Sequence, residues 1–335
     1  MNPLIKKIEP PAALPGAEVS IECDHFMTDG VRPCVSIDNL AGHFVVCSEQ
    51  YGVVVVPRDA NQGEVKIAHG DYQSSPARLG VASLLAGNLH PVSNPAIDRE
   101  GNIYTTFSGS RGQKVPTSVF KITPEGVTPY LSEVMNPTGM AFDSKGELFI
   151  SSRFDGTVYK VSSPSEMEVY AKGMGVATGL VFDPEDNLYV GDRSGTIFKM
   201  DRDRKTYVFA TMEPSVSAYH LALDAEGGLF VTGPTIGCLD AVYRITPQGE
   251  VEKYYARLGR PQGMAFDRQG NLLVAASLAG QKGVVRIGSD RKASVVVAGA
   301  GIVGLAMDWT TRGDLILATT DSIYRLNLNS IDRPV

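Results

Sequence analysis

A short segment that recurs along the chain restricts the possible folds more than any other feature of the sequence. Its clearest copy, Pro137–Val161, reads PTGMAFDSKGELFISSRFDGTVYKV. This copy contains an apolar strand, a tight turn, a second strand, a polar loop and a third strand. The aspartate that ends the first strand identifies six copies: Asp98, Asp143, Asp183, Asp224, Asp267 and Asp308. Successive copies lie 40–45 residues apart, a spacing that predicts the blades of a β-propeller.

The last copy lacks its outermost strand, because the chain stops at IDRPV after three predicted strands. The segment Leu84–Leu89, which precedes the first copy, is similar to the outer strands of other copies. We expect it to pair with the last blade, since a closed ring has no unpaired sheet edges. The predicted propeller therefore has six blades and occupies residues 83–335, with residues 83–89 supplying the outer strand of the last blade.

Residues 1–82 do not carry the repeat. They contain short segments rich in Val and Ile, separated by Pro-Gly and Asn-Gln-Gly breaks, which predict a small β-sandwich. The predicted strands are Leu4–Ile8, Glu18–Cys23, Pro33–Ile37, His43–Cys47, Gly52–Val56, Glu64–His69 and Ala77–Ala82. The pattern IKKIEPPAALPGAEVSIECDHF resembles the IPT/TIG family of immunoglobulin-like domains, which implies a spacer, adhesion or dimerisation module. The predicted fold class is all-β, with an immunoglobulin-like β-sandwich followed by a six-bladed β-propeller.

Composition restricts the partners and the compartment. The 335 residues carry a formal net charge of −6 and no run of Lys or Arg, which argues against nucleic acid or an anionic membrane as a partner. No apolar run reaches the roughly 18 residues of a membrane span, and the N-terminus lacks a signal-peptide core. We expect a cytoplasmic protein, or a secreted or periplasmic one if a leader has been removed. The oligomeric state stays open.

The four cysteines do not form a recognisable motif. They show no CxxC spacing, and three of them lie in the first 50 residues. This pattern favours apolar strand cysteines over a disulfide framework. The cysteines are Cys23, Cys34, Cys47 and Cys238.

The repeated aspartates are interpreted as turn residues and not as calcium ligands. Three residues after each of four of them comes Gly146, Asp186, Gly227 or Gly270. A tight hairpin needs a positive φ at this position. We therefore predict that these residues adopt the left-handed conformation.

Propeller topology gathers the polar residues of different blades at one channel mouth. The residues just before the first strand of each blade, and the loops between the second and third strands, belong to the same rim. Loops on a rigid scaffold commonly carry binding sites. The candidate ligand-binding residues are Asn94, Arg111, Thr138, Arg153, Thr178, Asp192, Arg193 and Gln262.

Two features of this mouth point to chemistry. His220 is the only histidine within the repeats and replaces a glycine found in four of the other five copies. It is a candidate general base or metal ligand, with Tyr219 in support; alternatively, it bonds the neighbouring backbone. Three arginines facing one depression, Arg111, Arg153 and Arg193, match a carboxylate or phosphate; alternatively, they pair with Asp155, Asp192 or a loop carbonyl.

The repeats resemble the NHL and SMP-30/gluconolactonase group of propellers in the pattern P-x-G-x-x-x-D-x-x-G-x-L. In the lactonases of that group, a divalent metal at the channel mouth is held by Glu, Asn and Asp. The aligned positions here are Ser93, Thr138, Thr178 and Gln262, and hard cations prefer anionic oxygen ligands. We expect no cofactor, and Ca²⁺, Mg²⁺ or Zn²⁺ only if the protein is an SMP-30-like hydrolase or lyase. A virginiamycin-lyase-like propeller is matched only through His220.

Two hypotheses follow. The favoured one is a non-enzymatic binding protein whose channel mouth holds a small anionic or carbohydrate-like ligand, or a protein partner. The alternative is an SMP-30-like hydrolase or lyase with an unusual site around His220. Fold alone does not decide between them.

Overall fold

Almost all of the regular structure is strand. A computed structural model describes residues 2–26, 33–61, 63–110, 112–237, 239–311 and 313–330, and within these ranges it contains 34 strands and one short 3-10 helix, Leu328–Ser330. None of the described residues forms a helix that is long and apolar enough to cross a membrane. The protein is therefore all-β, as the repeats predicted.

The N-terminal strands form two sheets. They are β1 (Leu4–Glu9), β2 (Ala12–Ala13), β3 (Glu18–Asp24), β4 (Cys34–Ile37), β5 (Leu40–Ala41), β6 (His43–Cys47), β7 (Tyr51–Val55), β8 (Gly63–His69), β9 (Tyr72–Gln73) and β10 (Ala77–Val81). One sheet has the order β1-β3-β7-β6, and the other contains β10-β8-β4-β5 with β9 beside β8. Apolar side chains alternate with polar ones along β3, and one core takes Ile21 and Val54 from the first sheet and Ile37 and Ile67 from the second.

The remaining strands form six successive blades of four strands each, which we number one to six; five of them are separate four-stranded sheets, and blade five is part of a larger sheet. Blade one is β12 (Ala96–Ile97), β13 (Ile103–Thr106), β14 (Val119–Thr123) and β15 (Gly126–Leu131); blade two is β16 (Pro137–Phe142), β17 (Leu148–Ser152), β18 (Thr157–Ser163) and β19 (Glu166–Ala171); blade three is β20 (Ala177–Phe182), β21 (Leu188–Asp192), β22 (Thr196–Met200) and β23 (Thr206–Thr211).

Blades four to six complete the set. Blade four is β24 (His220–Leu223), β25 (Leu229–Thr232), β26 (Asp240–Ile245) and β27 (Val251–Leu258); blade five is β28 (Met264–Phe266), β29 (Leu272–Leu278), β30 (Gln281–Ile287) and β31 (Ala293–Ala298); blade six is β32 (Ile302–Asp308), β33 (Asp314–Thr319), β34 (Ile323–Asn327) and β11 (Ser83–Ala86).

The blades close into a ring. The first strand of each blade contacts the first strand of the next, and β12 contacts β32. In blade six the outermost strand is β11, which pairs antiparallel with β34 through Ser83 opposite Arg325 and Leu84 opposite Tyr324. The sequence analysis placed a strand for this blade at Leu84–Leu89. The ring therefore joins the two ends of the repeat region in one sheet.

The N-terminal strands are not separate from the propeller. The two-residue strand β2 lies between β10 and β31 and pairs in parallel with both. Blade five and the second N-terminal sheet thereby become one continuous sheet of ten strands. Ala298 of blade five belongs to the N-terminal core, while Leu14 packs with blades five and six. The structure does not show the separate N-terminal sandwich expected from the sequence.

The six repeated aspartates organise the turns that follow them. In the turn at Asp183, for example, Oδ1 accepts the backbone N–H groups of Glu185 and Asn187 at 3.1 and 2.8 Å. The residues predicted to have positive φ have it: φ is 82° at Gly146, 59° at Asp186, 80° at Gly227 and 78° at Gly270. The interpretation of these positions as turn chemistry is confirmed.

Candidate functional site

Two opposite surfaces of the propeller are defined by its connections. The BC rim is the edge formed by the connections that follow Thr106, Ser152, Asp192, Thr232, Leu278 and Thr319, the last residues of the second strands. The AB face is formed by the turns that begin at the six repeated aspartates. The sequence analysis placed every candidate site residue on the side of the BC rim.

The threonines predicted at the channel mouth are buried and bonded within the protein. Thr178 Oγ1 donates to Gly191 O at 2.8 Å and accepts the Tyr219 N–H at 3.1 Å, so it ties blade three to blade four. Thr138 Oγ1 donates to Asn136 O at 3.3 Å. Gln262 is half-buried, and its carbonyl accepts a hydrogen bond from Thr232 Oγ1 at 2.6 Å. The hydroxyls of both predicted threonines thus hold the scaffold together.

One residue further along, the first strands of neighbouring blades approach each other most closely. A Cβ atom at Gly139 would lie 2.1 Å from Thr178 O, and one at Gly304 would lie 2.2 Å from Ser93 O. Asn94 occupies this level in blade one. Its Nδ2 donates to Met264 O at 3.3 Å and its Oδ1 accepts Leu305 N–H at 3.0 Å. The Asn94 side chain therefore links blade one to blades five and six.

His220 occupies the same level in blade four. Its side chain is only 1% exposed, and neither ring nitrogen has a hydrogen-bond partner among the described residues. Burial lowers the pKa of His220 from 6.5 to about 4, because the charged imidazolium loses its hydration. The histidine is therefore neutral at neutral pH and shielded from solvent.

Tyr219 is part of the core between blades three and four. It is 2% exposed, packs with Leu221 and Val231, and donates its hydroxyl proton to Glu213 O. Burial raises the pKa of Tyr219 to about 12. Its phenol is thus protonated and already occupied by a backbone carbonyl.

The predicted arginines differ in their surroundings. Arg153 Nη2 donates to Ser108 Oγ at 3.2 Å and to Gly109 O at 3.3 Å, so its guanidinium group joins blade two to the long loop of blade one. Arg193 is exposed on the BC rim. Asp192 is buried and accepts Val176 N–H at 2.8 Å and Ser194 N–H at 3.1 Å. Arg111 lies outside the described residues.

A polar depression opens on the BC rim at blade four. Its volume is about 300 Å³, and its lining includes Thr235, Asp240, Tyr243, Lys253 and Arg257. Asp240 is 6% exposed. Its Oδ1 accepts the N–H and the hydroxyl of Thr235 at 3.0 and 2.7 Å, whereas its Oδ2 is buried with no partner in the described part of the chain. A buried carboxylate oxygen without a donor is uncommon in a folded protein.

The backbone around this depression is irregular. The pairing of β26 with β27 shifts register twice, between Asp240 and Val242 and between Val242 and Tyr243. Arg257 adopts φ +69°, a conformation that L-residues with long side chains rarely take. β-Bulges and positive φ values occur preferentially near functional sites. Two exposed cations, Lys253 and Arg257, line this depression together with Asp240.

Sequence reasoning identified the loop of this depression but not its other wall. Thr235 and Asp240 follow the second strand of blade four, where the sequence analysis expected a rim loop, yet Asp240, Lys253 and Arg257 were not named as site residues. The only sequence signal for this wall was the length of the outer strand of blade four, β27. The bulges in that strand could not be predicted, because they depend on its pairing and not on composition.

No cluster of three or more His, Cys, Asp or Glu residues suited to a metal ion occurs within the described ranges. Cys23 is buried, Cys34 is exposed and Cys47 is half-buried. Burial raises the pKa of Cys23 to about 11, so its thiol stays protonated at neutral pH. Cys238 lies outside the described residues.

Comparison with known proteins identifies the architecture. No family model matches the sequence, and no curated protein matches it significantly. An auxiliary nutrient-binding protein from Bacteroides thetaiotaomicron has a TM-score of 0.58 at 11% identity, with 98% of each chain covered. A protein assigned as a gluconolactonase has a TM-score of 0.61 at 15% identity, with 74% of this chain and 92% of that chain covered.

A third similar structure is that of a virginiamycin B lyase from Staphylococcus aureus, in a catalytically inactive form with quinupristin. It has a TM-score of 0.55 at 14% identity, with 89% of this chain and 100% of that chain covered. At such low identities, the three similarities establish a shared β-propeller fold and nothing about activity.

Proposed function

We propose that the protein is a binding protein whose BC rim holds a small hydroxylated acid, such as a sugar acid, in the depression of blade four. The observation that carries this proposal is the buried, unpartnered Oδ2 of Asp240 beside two exposed cations. Leaving a buried polar atom without a partner costs roughly 1–3 kcal/mol, and a ligand hydroxyl would satisfy it.

The chemistry of the depression matches two different groups on one ligand. A carboxylate such as Asp240 accepts hydrogen bonds only, so it selects a hydroxyl or another donor. Lys253 and Arg257 supply charged donors for a ligand carboxylate. A compound that carries hydroxyls and one carboxylate satisfies both sides, whereas a neutral sugar leaves the cations unused.

The alternative function is a hydrolase or lyase centred on His220. It is favoured by a neutral imidazole whose two nitrogens have no described partner and by the likeness to a lyase propeller. A catalytic base must come within hydrogen-bond reach of its substrate. His220 is 1% exposed and does not line the depression at blade four, whereas Asp240 does. Binding is therefore the better-supported function.

The domain division proposed with this function places an IPT/TIG-like sandwich at residues 1–82 and an NHL or SMP-30-like propeller at residues 83–335. The two N-terminal sheets around one core support the first assignment, and the six four-stranded blades support the second. The first region would then act as a support for the propeller, which it contacts through β2.

Isothermal titration calorimetry with glucuronate, galacturonate and gluconate tests the proposed function, with glucose as the uncharged comparison. We expect at least one acid to bind, and Asp240→Asn to weaken it by about tenfold or more, which corresponds to about 1.4 kcal/mol. The matched control is Asp203→Asn, at an exposed aspartate of blade three, which should bind as the wild type does. Absence of heat with every acid, or lactone turnover abolished by His220→Ala, would contradict the proposal.

A further inference from the structure

The AB face carries a second depression, on the opposite side of the propeller from Asp240. It lies between the turns of blades one, two and six and has a volume of about 230 Å³. Ile97, Phe142 and Met307 supply an apolar lining, and Trp309, which is 55% exposed, stands at its edge. Trp309 is the only tryptophan in the sequence. An exposed indole beside an apolar hollow is a common feature of ligand sites.

Asp143, which also lines this depression, differs from the other five repeated aspartates. In each of those five, Oδ2 accepts a hydrogen bond from a side chain of the same blade. The donors are Asn102 to Asp98 at 2.8 Å, Asn187 to Asp183 at 2.7 Å, Arg244 to Asp224 at 3.2 Å, Asn271 to Asp267 at 2.9 Å and Arg325 to Asp308 at 3.1 Å.

Blade two breaks this rule because Glu147 stands where blades one, three and five have asparagine. Glu147 pairs with Lys160 at 2.8 Å, which removes the cation from Asp143. Asp143 Oδ1 still accepts two backbone N–H groups of its turn at 2.9 Å. No described residue donates to its Oδ2, so this oxygen is available as an acceptor at the depression.

The charges around the depression select against strongly charged ligands. Arg99 lines it and donates to Ser144 O of the blade-two turn, and Arg268 lies over the Trp309 ring at 5.8 Å while donating to Thr311 O at 3.1 Å. The two guanidinium groups disfavour an organic cation on the indole, and the carboxylates of Asp98 and Asp143, which both line the depression, disfavour an anion. The set therefore matches an uncharged molecule that has hydroxyls and an apolar face.

We propose that this depression is a saccharide-binding site for a single uncharged pyranose ring. The C–H face of the sugar packs against Trp309 and the apolar lining, which removes apolar surface from water. A ring hydroxyl donates to Asp143 Oδ2, and Arg99 donates to another ring oxygen. The volume is smaller than the roughly 300–1,000 Å³ of drug-sized pockets, so it accommodates one ring. This site is independent of the one proposed at Asp240.

Intrinsic fluorescence tests the proposal directly, because selective excitation of tryptophan reports on Trp309 alone. The probes are methyl β-D-glucopyranoside, methyl β-D-galactopyranoside and methyl α-D-mannopyranoside, compared with choline as a cation and glucuronate as an anion. We expect a saturable change with at least one glycoside and none with choline. A response to choline alone, or no response to any of the three glycosides, overturns the proposal.

Calorimetry on variants locates the binding. Asp143→Asn keeps the acceptor that holds the turn and should weaken the glycoside by about tenfold or more, while Trp309→Ala, at an exposed position, should abolish the heat. Asp203→Asn should bind as the wild type does. Glycoside affinity that is unchanged in Trp309→Ala overturns the proposal.

Asp240→Asn tests whether the two sites are independent. Loss of the glucuronate signal in this variant, with the glycoside signal retained, shows that the sites are distinct. Loss of both signals overturns their independence.

Discussion

At the scale of single residues, Asn94 and His220 show two outcomes for a side chain placed where the other blades have glycine. The Asn94 amide finds both a donor and an acceptor on blades five and six. The His220 imidazole is equally enclosed but finds no described partner. The position of His220 was recognisable from the repeat alignment, whereas its burial depends on packing between blades. The sequence therefore identified the exception without showing its consequence for ionisation.

The stability of the protein should depend on pH through His220. The folded-state pKa of about 4 lies below the ordinary histidine pKa of 6.5, so in mildly acidic solution the unfolded chain binds a proton that the folded protein does not. The stabilisation is fully present above pH 6.5 and is lost as the pH falls toward 4. We expect a loss of about 2 kcal/mol between about pH 7.5 and pH 5 from this residue. Urea unfolding at both pH values measures it.

The non-titrating variant His220→Gln is the control for this prediction. Carboxylates titrate in the same range, so only the difference between wild type and variant belongs to the histidine. The variant should lose less of its free energy of unfolding on acidification than the wild type does. Equal losses in both proteins would contradict the assignment of a low pKa to His220.

At the scale of secondary-structure elements, the first strands of the blades are limited by how closely they pack. A Cβ at Gly139 would meet backbone atoms of the next blade, Thr178 O at 2.1 Å and Leu180 N at 2.9 Å. Backbone of a packed strand cannot move aside as a flexible side chain can. The glycine is therefore required by the contact between blades and not by its own backbone conformation.

Gly139→Ala should destabilise the protein by more than about 3 kcal/mol, above the usual range for overpacking, because the clash is with backbone. Gly146→Ala is the matched comparison, since its Cβ would meet nothing within 4 Å and only its φ of +82° is unfavourable. That variant should lose roughly 1 kcal/mol. Urea unfolding of both variants measures the difference, and similar losses would mean that the blades can separate slightly at no great cost.

Local patterns predicted the elements well, and pairing between distant segments escaped them. Alternation and turn residues located strands such as β6, whose bounds matched the prediction. β2 consists of two alanines that pair with residues about 70 and 285 positions away in the sequence. A strand this short, with partners this distant, leaves no local pattern from which it could be predicted. The hydrogen bonds of Thr178 and Arg153 likewise depend on neighbouring blades, and the bulges of β27 depend on its pairing with β26. The sequence analysis therefore assigned these polar rim residues as ligand contacts, because their partners within the protein are known only from the fold.

At the scale of the whole molecule, the short strand β2 and the residue after it couple the N-terminal sheets to the propeller. Leu14 N–H donates to Ala298 O at 2.8 Å, and the Leu14 side chain, 5% exposed, packs into the core of blades five and six. Ala298 in turn belongs to the N-terminal core. Because each core contains a residue of the other region, we expect both regions to unfold together.

Leu14→Ala should break this coupling. Removing a buried leucine side chain costs about 2–5 kcal/mol, and here the loss falls on the contact between the two regions. Differential scanning calorimetry should therefore show one transition for the wild type and two for the variant, with the N-terminal sheets unfolding first. Leu4→Ala, at a leucine that is 54% exposed in the same region, should change the free energy of unfolding by less than about 0.5 kcal/mol. A single transition in Leu14→Ala, shifted no more than that of Leu4→Ala, would mean that the ten-stranded sheet alone transmits the cooperativity, through the β2 backbone.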